Sequence, residues 1–264
     1  MKKLPVSLRD HLRAQLADLK MPGALEALDD ILAGLDGGTL KAPAALEALL
    51  QAQITLRNHR RLDAAMRSSR LPAVKTLADF DFSFQPSVKR EQLESLHTLG
   101  FLERKENVVF LGPPGVGKTH LAIALDTEAI VTGSSVYFVT IQDLVSQFQR
   151  ARDENKLKER MSLLVKPKLL ILDEMGYLTL DSFAATCLFQ LVSERYEKGS
   201  IILTSNKSYG DWGAIFADNV IASAILDRLR HHSTTINIKG ESYRLKDKKK
   251  AGVVAAKLPG KEGG

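Results

Sequence analysis

The stretch GPPGVGKT, from Gly112 to Thr119, decides the fold because it follows the apolar run NVVFL and precedes the helical pattern HLAIALDTEAI. A glycine-rich loop between a strand and a helix points successive backbone N–H groups at phosphate oxygens, and the helix N-terminus adds a favourable dipole. The sequence therefore predicts a nucleotide-binding loop. Its residues are Gly112, Pro113, Pro114, Gly115, Val116, Gly117, Lys118, Thr119 and His120.

Two side chains of this loop carry the expected chemistry. Lys118 would reach the β- and γ-phosphates, and the Thr119 hydroxyl would ligate Mg²⁺, so the expected ligands are ATP and Mg²⁺. His120 begins the helix and is grouped with the nucleotide-binding residues, although a histidine at a helix start is often incidental.

A second motif, LLILDE, is an apolar strand that ends in Asp173 and Glu174. The carboxyl ends of strands are where α/β sheets bind ligands. We expect Asp173 to hold the Mg²⁺ shell and Glu174 to orient and polarise the attacking water. The pair predicts an ATPase that converts ATP and water to ADP and phosphate.

Two further patterns complete the predicted catalytic set of Lys118, Glu174, Asn206 and Arg228. The strand IILTSN ends in Asn206, which would contact the water or the γ-phosphate, or would form a turn. The helix NVIASAILDRLRHH carries Arg228 and Arg230, and an arginine from a neighbouring subunit can neutralise transition-state charge. Arg228 is our choice for that role, and a salt-bridged helix arginine is the alternative.

The order of elements predicts an α/β domain over residues 88–245 with a parallel sheet covered on both faces. Its expected strands are short apolar runs at 108–111, 136–140, 169–172, 201–205 and 235–238. Helical periodicity before Pro72 predicts a small all-α N-terminal domain over residues 1–70, for DNA binding or dimerisation. Residues 71–87 would be an extended connector, and residues 246–264 a basic disordered tail.

Composition limits the class of protein. No segment approaches the ~18 apolar residues of a membrane span, and the N-terminus lacks the apolar stretch of a secretory signal. Cys187 has no second cysteine to pair with, which fits a reducing, cytoplasmic compartment. Within the total charge of +6, residues 1–75 carry +4 (12 basic, 8 acidic), residues 239–264 carry +5 (8 against 3) and the middle −3 (17 against 20). Basic flanks favour a polyanionic partner, nucleic acid first.

Together GPPGVGKT, LLILDE, LTSN and ILDRLRHH resemble the DnaC/IstB branch of the AAA+ ATPases. Further segments narrow the resemblance to the IstB family of insertion-sequence transposition helpers: LADFDFSF, LGFLERKENVVFLGPPGVGKTHLAIAL, LLILDEMGYL and GESYRLK. It covers most of residues 45–247 and implies an ATP-dependent DNA-binding regulator of transposition. Such a protein assembles as a homo-oligomer on target duplex DNA and stimulates a partner transposase.

One departure from the general AAA+ plan is that about 25 residues follow the last strand, too few for a C-terminal helical lid. Arg244 would then be a substitute for a lid-borne arginine. Two alternatives stay open: a DnaC-like replicative helicase loader, and a scaffold that binds ATP without turnover.

Duplex DNA is expected first on the helix that carries Arg57, Arg60, Arg61 and Arg67, which follow roughly one stripe. Several guanidiniums along a phosphate backbone supply affinity without sequence discrimination. The alternative is a solvent-exposed face or one packed on a neighbour. Lys156 and Lys158 form the second candidate. The scarcity of aromatic residues among these basic side chains favours duplex over single-stranded partners.

Overall fold

The computed structural model describes residues 7–216 and 218–246. The chain divides into two units, Met1–Ala64 and Ala65–Gly264. The division falls inside the third helix, whereas the sequence predicted a boundary at residue 70. That helix ends at Ser69, and Arg70 follows with a φ of +61°. The left-handed backbone at Arg70 and the proline two residues later explain why the helix stops there.

The first unit contains α1 (Leu8–Asp18), α2 (Pro22–Asp36) and most of α3 (Ala42–Ser69). The Ser7 hydroxyl oxygen accepts a hydrogen bond from the Asp10 backbone N–H, and the Asp10 carboxylate accepts one from the Ser7 backbone N–H, so α1 begins with a capping box. A small apolar core of Leu16, Ala24 and Leu28 holds the unit together. The predicted all-α segment is thus confirmed.

A close approach joins α2 to α3. The Gln53 side-chain oxygen accepts from the backbone N–H of Gly23 at 2.9 Å and of Ala24 at 3.4 Å, which satisfies donors that the start of α2 leaves open. A Cβ on Gly23 would lie 2.7 Å from the carbonyl oxygen of Ala52. The absence of a side chain at position 23 is therefore what permits this packing.

The second unit contains a five-stranded parallel sheet in the order β2-β3-β4-β1-β5. Its strands are β1 (Asn107–Leu111), β2 (Val136–Thr140), β3 (Leu169–Met175), β4 (Ser200–Ser205) and β5 (Ser233–Asn237). Each expected strand is present. The β3 strand runs three residues further than predicted, and β5 begins two residues earlier and ends one earlier. Both β1 and β4 are buried along their whole length, as expected for central strands of a parallel sheet.

Helices cover the sheet and are capped by polar side chains. Their bounds are α4 (Arg90–His97), α5 (Gly100–Glu103), α6 (Lys118–Val131), α7 (Ile141–Asp153), α8 (Leu157–Val165), α9 (Ser182–Arg195) and α10 (Asn219–His231). Thr140, Asp181 and Asp218 accept hydrogen bonds from the first turns of α7, α9 and α10. Cys187 is buried on α9, and burial raises the pKa of its thiol.

Two buried polar side chains close the edge of the sheet where the strands begin. Asn107 donates to the Leu229 carbonyl at 3.2 Å and accepts from the Ile201 N–H at 2.9 Å. The Arg195 guanidinium is 1% exposed, and burial lowers its pKa to about 10. It donates to the carbonyls of Leu164, Val165, Pro167, Lys168 and Ser200. The two side chains thereby hold in place the turns that lead into the strands of the sheet.

After β5, the described residues contain one short 3₁₀ turn, Tyr243–Leu245, and then Lys246. The rest of the predicted basic tail, residues 247–264, lies outside the described residues. Within the described part, every helix is too short or too polar to cross a membrane.

Asp126 on α6 carries a buried carboxyl group, and neither of its oxygens has a hydrogen-bond partner among the residues that the structure describes. Burial raises its pKa well above the ordinary value for an aspartate. The unfolded chain therefore releases this proton at a lower pH than the folded chain. As a result, the folded state loses stability as the pH rises from the unfolded pKa of about 4 towards the folded pKa.

We expect Asp126→Asn to gain stability over the wild type as the pH rises from 5 to 8, by at most about 1.4 kcal/mol per pH unit. Urea unfolding followed by fluorescence of Trp212, the single tryptophan of the chain and fully buried in the α/β unit, measures this difference. Thr127→Val is the control, because it changes a buried neighbour that does not titrate. An Asp126→Asn offset that stays constant with pH would contradict the prediction.

Candidate functional site

The phosphate loop lies between β1 and α6, where the sequence predicted it. Gly117 immediately precedes α6 with a φ of +100°, in the left-handed region that residues with a Cβ disfavour. Gly115 has a φ of +82°, and a Cβ there would lie 2.0 Å from the Ser242 hydroxyl oxygen. The glycine pattern is therefore required by both backbone conformation and close packing.

Lys118 folds back onto this loop. Its Nζ donates to the carbonyl oxygens of Gly112 and Pro113, each at 2.8 Å, which leaves one of its three protons for a phosphate. Burial lowers the pKa of Lys118, and the negative charge of Asp173 opposes that change. The two hydrogen bonds thus hold the ammonium group of Lys118 at the loop in one orientation.

Thr119 and Asp173 meet at the end of the sheet, although 54 residues separate them. The Thr119 hydroxyl donates to the two Asp173 carboxylate oxygens at 2.9 and 3.1 Å. Because its proton is used this way, the oxygen lone pairs of Thr119 remain available to a cation. Hydroxyl and carboxylate oxygens are ligands that Mg²⁺ accepts together with phosphate oxygens and water, so this pair fits a nucleotide-borne Mg²⁺.

Within residues 7–216 and 218–246 there is no group of three or more His, Cys, Asp or Glu side chains that could hold a metal ion. A magnesium ion at Thr119 and Asp173 would therefore take its other ligands from the nucleotide and water.

Glu174 stands next to this pair with its side chain exposed and a φ of +66°. The register between β3 and β4 shifts between Leu172 and Met175, so Glu174 lies in a β-bulge. Bulges often redirect a side chain beside an active site. Here Glu174 lines the same cavity as Lys118 and Thr119.

One cavity of about 340 Å³ joins these groups, a size typical of ligand pockets. Its walls come from the phosphate loop, the end of β3, one residue of β4, the connector and the segment after β5. The lining residues are Gly115, Val116, Gly117, Lys118, Thr119, His120, Glu174, Tyr177, Thr204, Lys75, Asp79, Phe80, Asp81, Gln85, Tyr243 and Arg244.

The connector supplies a wall that the sequence analysis missed. The Phe80 ring meets His120 edge to face at 5.6 Å, and His120 Nε2 lies 3.0 Å from the Thr76 carbonyl oxygen. His120 therefore belongs to the wall of the cavity. The available signal in the sequence was the aromatic run Phe80, Phe82 and Phe84 of the connector, but this run indicated packing and not a ligand site.

Contacts between the connector and the segment after β5 close one side of the cavity. The Gln85 amide donates to the Glu241 carbonyl at 3.0 Å, and Lys246 lies 2.6 Å from Asp81. The hydrogen bond from Lys246 holds the pKa of Asp81 well below its usual range. The backbone N–H of Tyr243 donates to the Gly115 carbonyl at 2.9 Å. These bonds bring Arg244 into the cavity beside the phosphate loop.

Asn206 does not line this cavity. Its side-chain oxygen is buried, has no hydrogen-bond partner in the described part of the chain and lies 2.5 Å from where a Cβ of Gly176 would be. This position favours the turn interpretation of Asn206. Thr204, two residues earlier, lines the cavity instead. The sequence analysis did not predict it, because its place opposite the bulge depends on how β4 pairs with β3, which the sequence of one strand does not reveal.

Arg228 and Arg230 lie outside the cavity of their own chain. Arg228 is half-buried, donates to the Ala224 carbonyl at 3.1 Å and lies 4.8 Å from the centre of the Phe189 ring. Arg230 is exposed and lies 5.1 Å from the centre of the Tyr209 ring.

The basic residues proposed for DNA are on the surface. Arg57, Arg60, Arg61 and Arg67 are exposed on α3, and none makes an ion pair or side-chain hydrogen bond with another described residue. Lys156 pairs with Glu154 at 3.1 Å, whereas Lys158 is exposed and makes no such pair within the described chain.

In solved structures the fold resembles that of DnaI, with a TM-score of 0.55 and 20% identity over 62% of this chain and 90% of that one. It also resembles AMPPCP-bound DnaA from Aquifex aeolicus, with a TM-score of 0.51 and 21% identity over 69% of this chain and 56% of that one. These likenesses show that this chain shares its fold with DnaI and DnaA.

Sequence relatives establish the family. A protein of insertion sequence IS5376 from Geobacillus stearothermophilus, named for ATP binding, is 53% identical over 76% of this chain and 80% of its own length. One of insertion sequence IS21 from Pseudomonas aeruginosa, named likewise, is 47% identical over 92% of both chains. The profile of IstB-like ATP binding proteins matches residues 14–251. With that match over nearly the whole chain, the protein belongs to the IstB-like ATP binding protein family.

Proposed function

We propose that this protein is an ATPase regulator of DNA transposition, which assembles as an oligomer on duplex DNA and stimulates a partner transposase. The observation that carries the proposal is the convergence of Lys118, Thr119 and Glu174 on one cavity, with Asp173 bonded to Thr119. The insertion-sequence relatives supply the biological context.

The arrangement of side chains supports hydrolysis. Glu174 would accept a proton from the attacking water, whose oxygen bonds to the γ-phosphorus while the bond to the β,γ-bridging oxygen breaks and ADP leaves. Lys118 would stabilise charge on the β- and γ-phosphate oxygens, and Arg244 would hold the phosphates from the other side. When bound at Thr119 and Asp173, Mg²⁺ would neutralise developing charge on those oxygens.

A second subunit would complete the site. Arg228 lies outside its own cavity, so its predicted role requires a neighbouring chain whose cavity it enters. A phosphate bridged between subunits would favour the assembled state, and hydrolysis would remove that preference. ATP would thereby act as an assembly switch.

The helical unit would grip DNA and pair subunits. The four exposed arginines of α3 form no ion pair with another described residue, which leaves them free to contact the regular phosphates of a duplex. Exposed Leu46, Leu50 and Ile54 follow one face of the same helix at a spacing of four residues. An exposed apolar stripe of this kind suits helix pairing with a second copy.

We expect Lys118→Ala to lose ATP binding. Glu174→Gln should bind ATP, hydrolyse it about 10²–10⁴-fold more slowly and accumulate as an assembled complex. Fluorescent-nucleotide binding, phosphate release and light scattering measure the three effects. Glu159→Gln, which changes an exposed glutamate on α8, is the control. Wild-type turnover by Glu174→Gln would remove its catalytic assignment, and absent turnover in the wild type would favour the scaffold alternative.

A mixing experiment tests the role of Arg228. Arg228→Ala and Lys118→Ala should each be inactive alone, because one lacks the arginine and the other lacks nucleotide. When mixed, an intact arginine on a Lys118→Ala subunit can enter the intact cavity of an Arg228→Ala subunit, so phosphate release should reappear. If the mixture stays inactive while the Arg230→Ala and Lys118→Ala mixture recovers, Arg230 is the arginine that acts between subunits.

Anisotropy of a labelled duplex of about 50 base pairs tests DNA binding with ATP, with ADP and without nucleotide. Binding should require ATP, and Arg57→Ala/Arg60→Ala/Arg61→Ala should lower the salt slope by up to about 3, since each DNA phosphate that an arginine neutralises adds roughly 0.9 to that slope. Arg13→Ala is the control, because Arg13 pairs with Asp29 in the same unit. Binding confined to a matched single strand would support the helicase-loader alternative instead.

A further inference from the structure

Thr204 lies opposite the bulge that carries both acidic residues. Leu172 pairs with Leu203, and the next pair along the strands is Met175 with Ser205. Two residues of β3, Asp173 and Glu174, therefore face the single residue Thr204 of β4. A bulge of this kind leaves a backbone group without its ladder partner.

The Thr204 hydroxyl makes a bond to each acidic residue. It accepts from the backbone N–H of Glu174 at 3.0 Å and donates to the Asp173 carboxylate at 2.5 Å. The direction of both bonds follows from their chemistry, since an amide N–H can only donate and the hydroxyl has one proton to give. Thr204 is 1% exposed, so water cannot readily replace either bond.

The hydrogen bond from the Glu174 backbone N–H to Thr204 affects the conformation of Glu174. Its φ of +66° lies in the left-handed region, which is unfavourable for a residue with a Cβ. Such a conformation persists where surrounding contacts hold it, and strained residues of this kind cluster at active sites. The amide bond to Thr204 holds this backbone, which in turn sets the direction in which the Glu174 side chain enters the cavity.

The hydrogen bond from the Thr204 hydroxyl to the carboxylate affects the orientation of the Asp173 side chain. Thr119 and Thr204 both donate to Asp173 Oδ1, and Thr119 also lies within bonding distance of Oδ2. Asp173 is itself 3% exposed. The two hydroxyls together restrict rotation of the carboxylate, so the orientation of the Mg²⁺-site oxygens depends on Thr204 as well as on Thr119.

We propose that Thr204 is a positioning residue, which sets the geometry of the water-activating Glu174 and the Mg²⁺-site Asp173 through one buried hydroxyl. The inference rests on the proposed ATP hydrolysis for its effect on turnover. Its effect on the Mg²⁺ site is independent of turnover.

Thr204→Val keeps the shape of the side chain and removes the hydroxyl. We expect kcat to fall about 10- to 100-fold, the range typical when the partner of a metal-site ligand is removed. The Mg²⁺ concentration for half-maximal binding of a fluorescent ATP analogue should rise about 10-fold on the same ground. At saturating Mg²⁺, the affinity for the analogue and the KM for ATP should stay within about twofold of wild type, since Thr204 would act through the acids and not by holding the nucleotide.

Two companion variants separate positioning from folding. Thr204→Ser restores a hydroxyl and should recover most of the kcat and the Mg²⁺ dependence. Ser205→Ala removes the adjacent buried hydroxyl, which donates to the Met175 and Lys207 carbonyls and contacts neither acid. We expect its kcat and Mg²⁺ dependence to match wild type. Trp212 fluorescence in urea confirms that each variant folds.

The outcomes are distinct. A wild-type protein that binds ATP without turnover overturns the proposed hydrolysis, and the Mg²⁺ titration of Thr204→Val still decides the positioning role. Unchanged kcat and Mg²⁺ dependence in folded Thr204→Val overturn the inference. So does a Ser205→Ala variant with equal losses, or a folded Thr204→Ser variant that recovers neither property.

Discussion

The hydrogen bond from Thr119 to Asp173 is the interaction on which the site depends. It joins the start of α6, which follows β1, to the end of β3, and β4 lies between β1 and β3 in the sheet. The bond can form only because parallel strands bring their carboxyl ends to one edge. The buried packing of β1 and β4 therefore has a direct chemical consequence, since it fixes the distance between the phosphate loop and the acidic pair.

Much of this arrangement could be predicted from the sequence, because its signals are local. The order of apolar runs and glycines in GPPGVGKT and LLILDE specifies the strands, the loop and the acidic pair. Short apolar strands followed by helices also indicate a covered parallel sheet. The ends of β3 and β5 were less well predicted, since a bulge extends one strand and pairing with β1 decides the bounds of the other.

The rest of the site depends on contacts between distant parts of the chain. Thr204 is an ordinary strand residue until the β3–β4 register sets it against the bulge. The connector and the segment after β5 are joined through Gln85 and Glu241, 156 residues apart. Asn206 illustrates the converse, because its place at a strand end suggests catalysis while tertiary packing directs its side chain against Gly176.

The connector and the segment after β5 together form one wall of the cavity, here called the roof, which also affects how the boundaries of this ATP-binding unit are defined. Its nucleotide-binding motifs begin at Gly112 and end before residue 240, yet the roof needs residues from both sides of that interval. A truncated protein trimmed to the motifs would keep every residue of the phosphate loop and lose the wall above it. A fragment that keeps the whole cavity must therefore include both flanks, from Lys75 in the connector to Lys246 after β5.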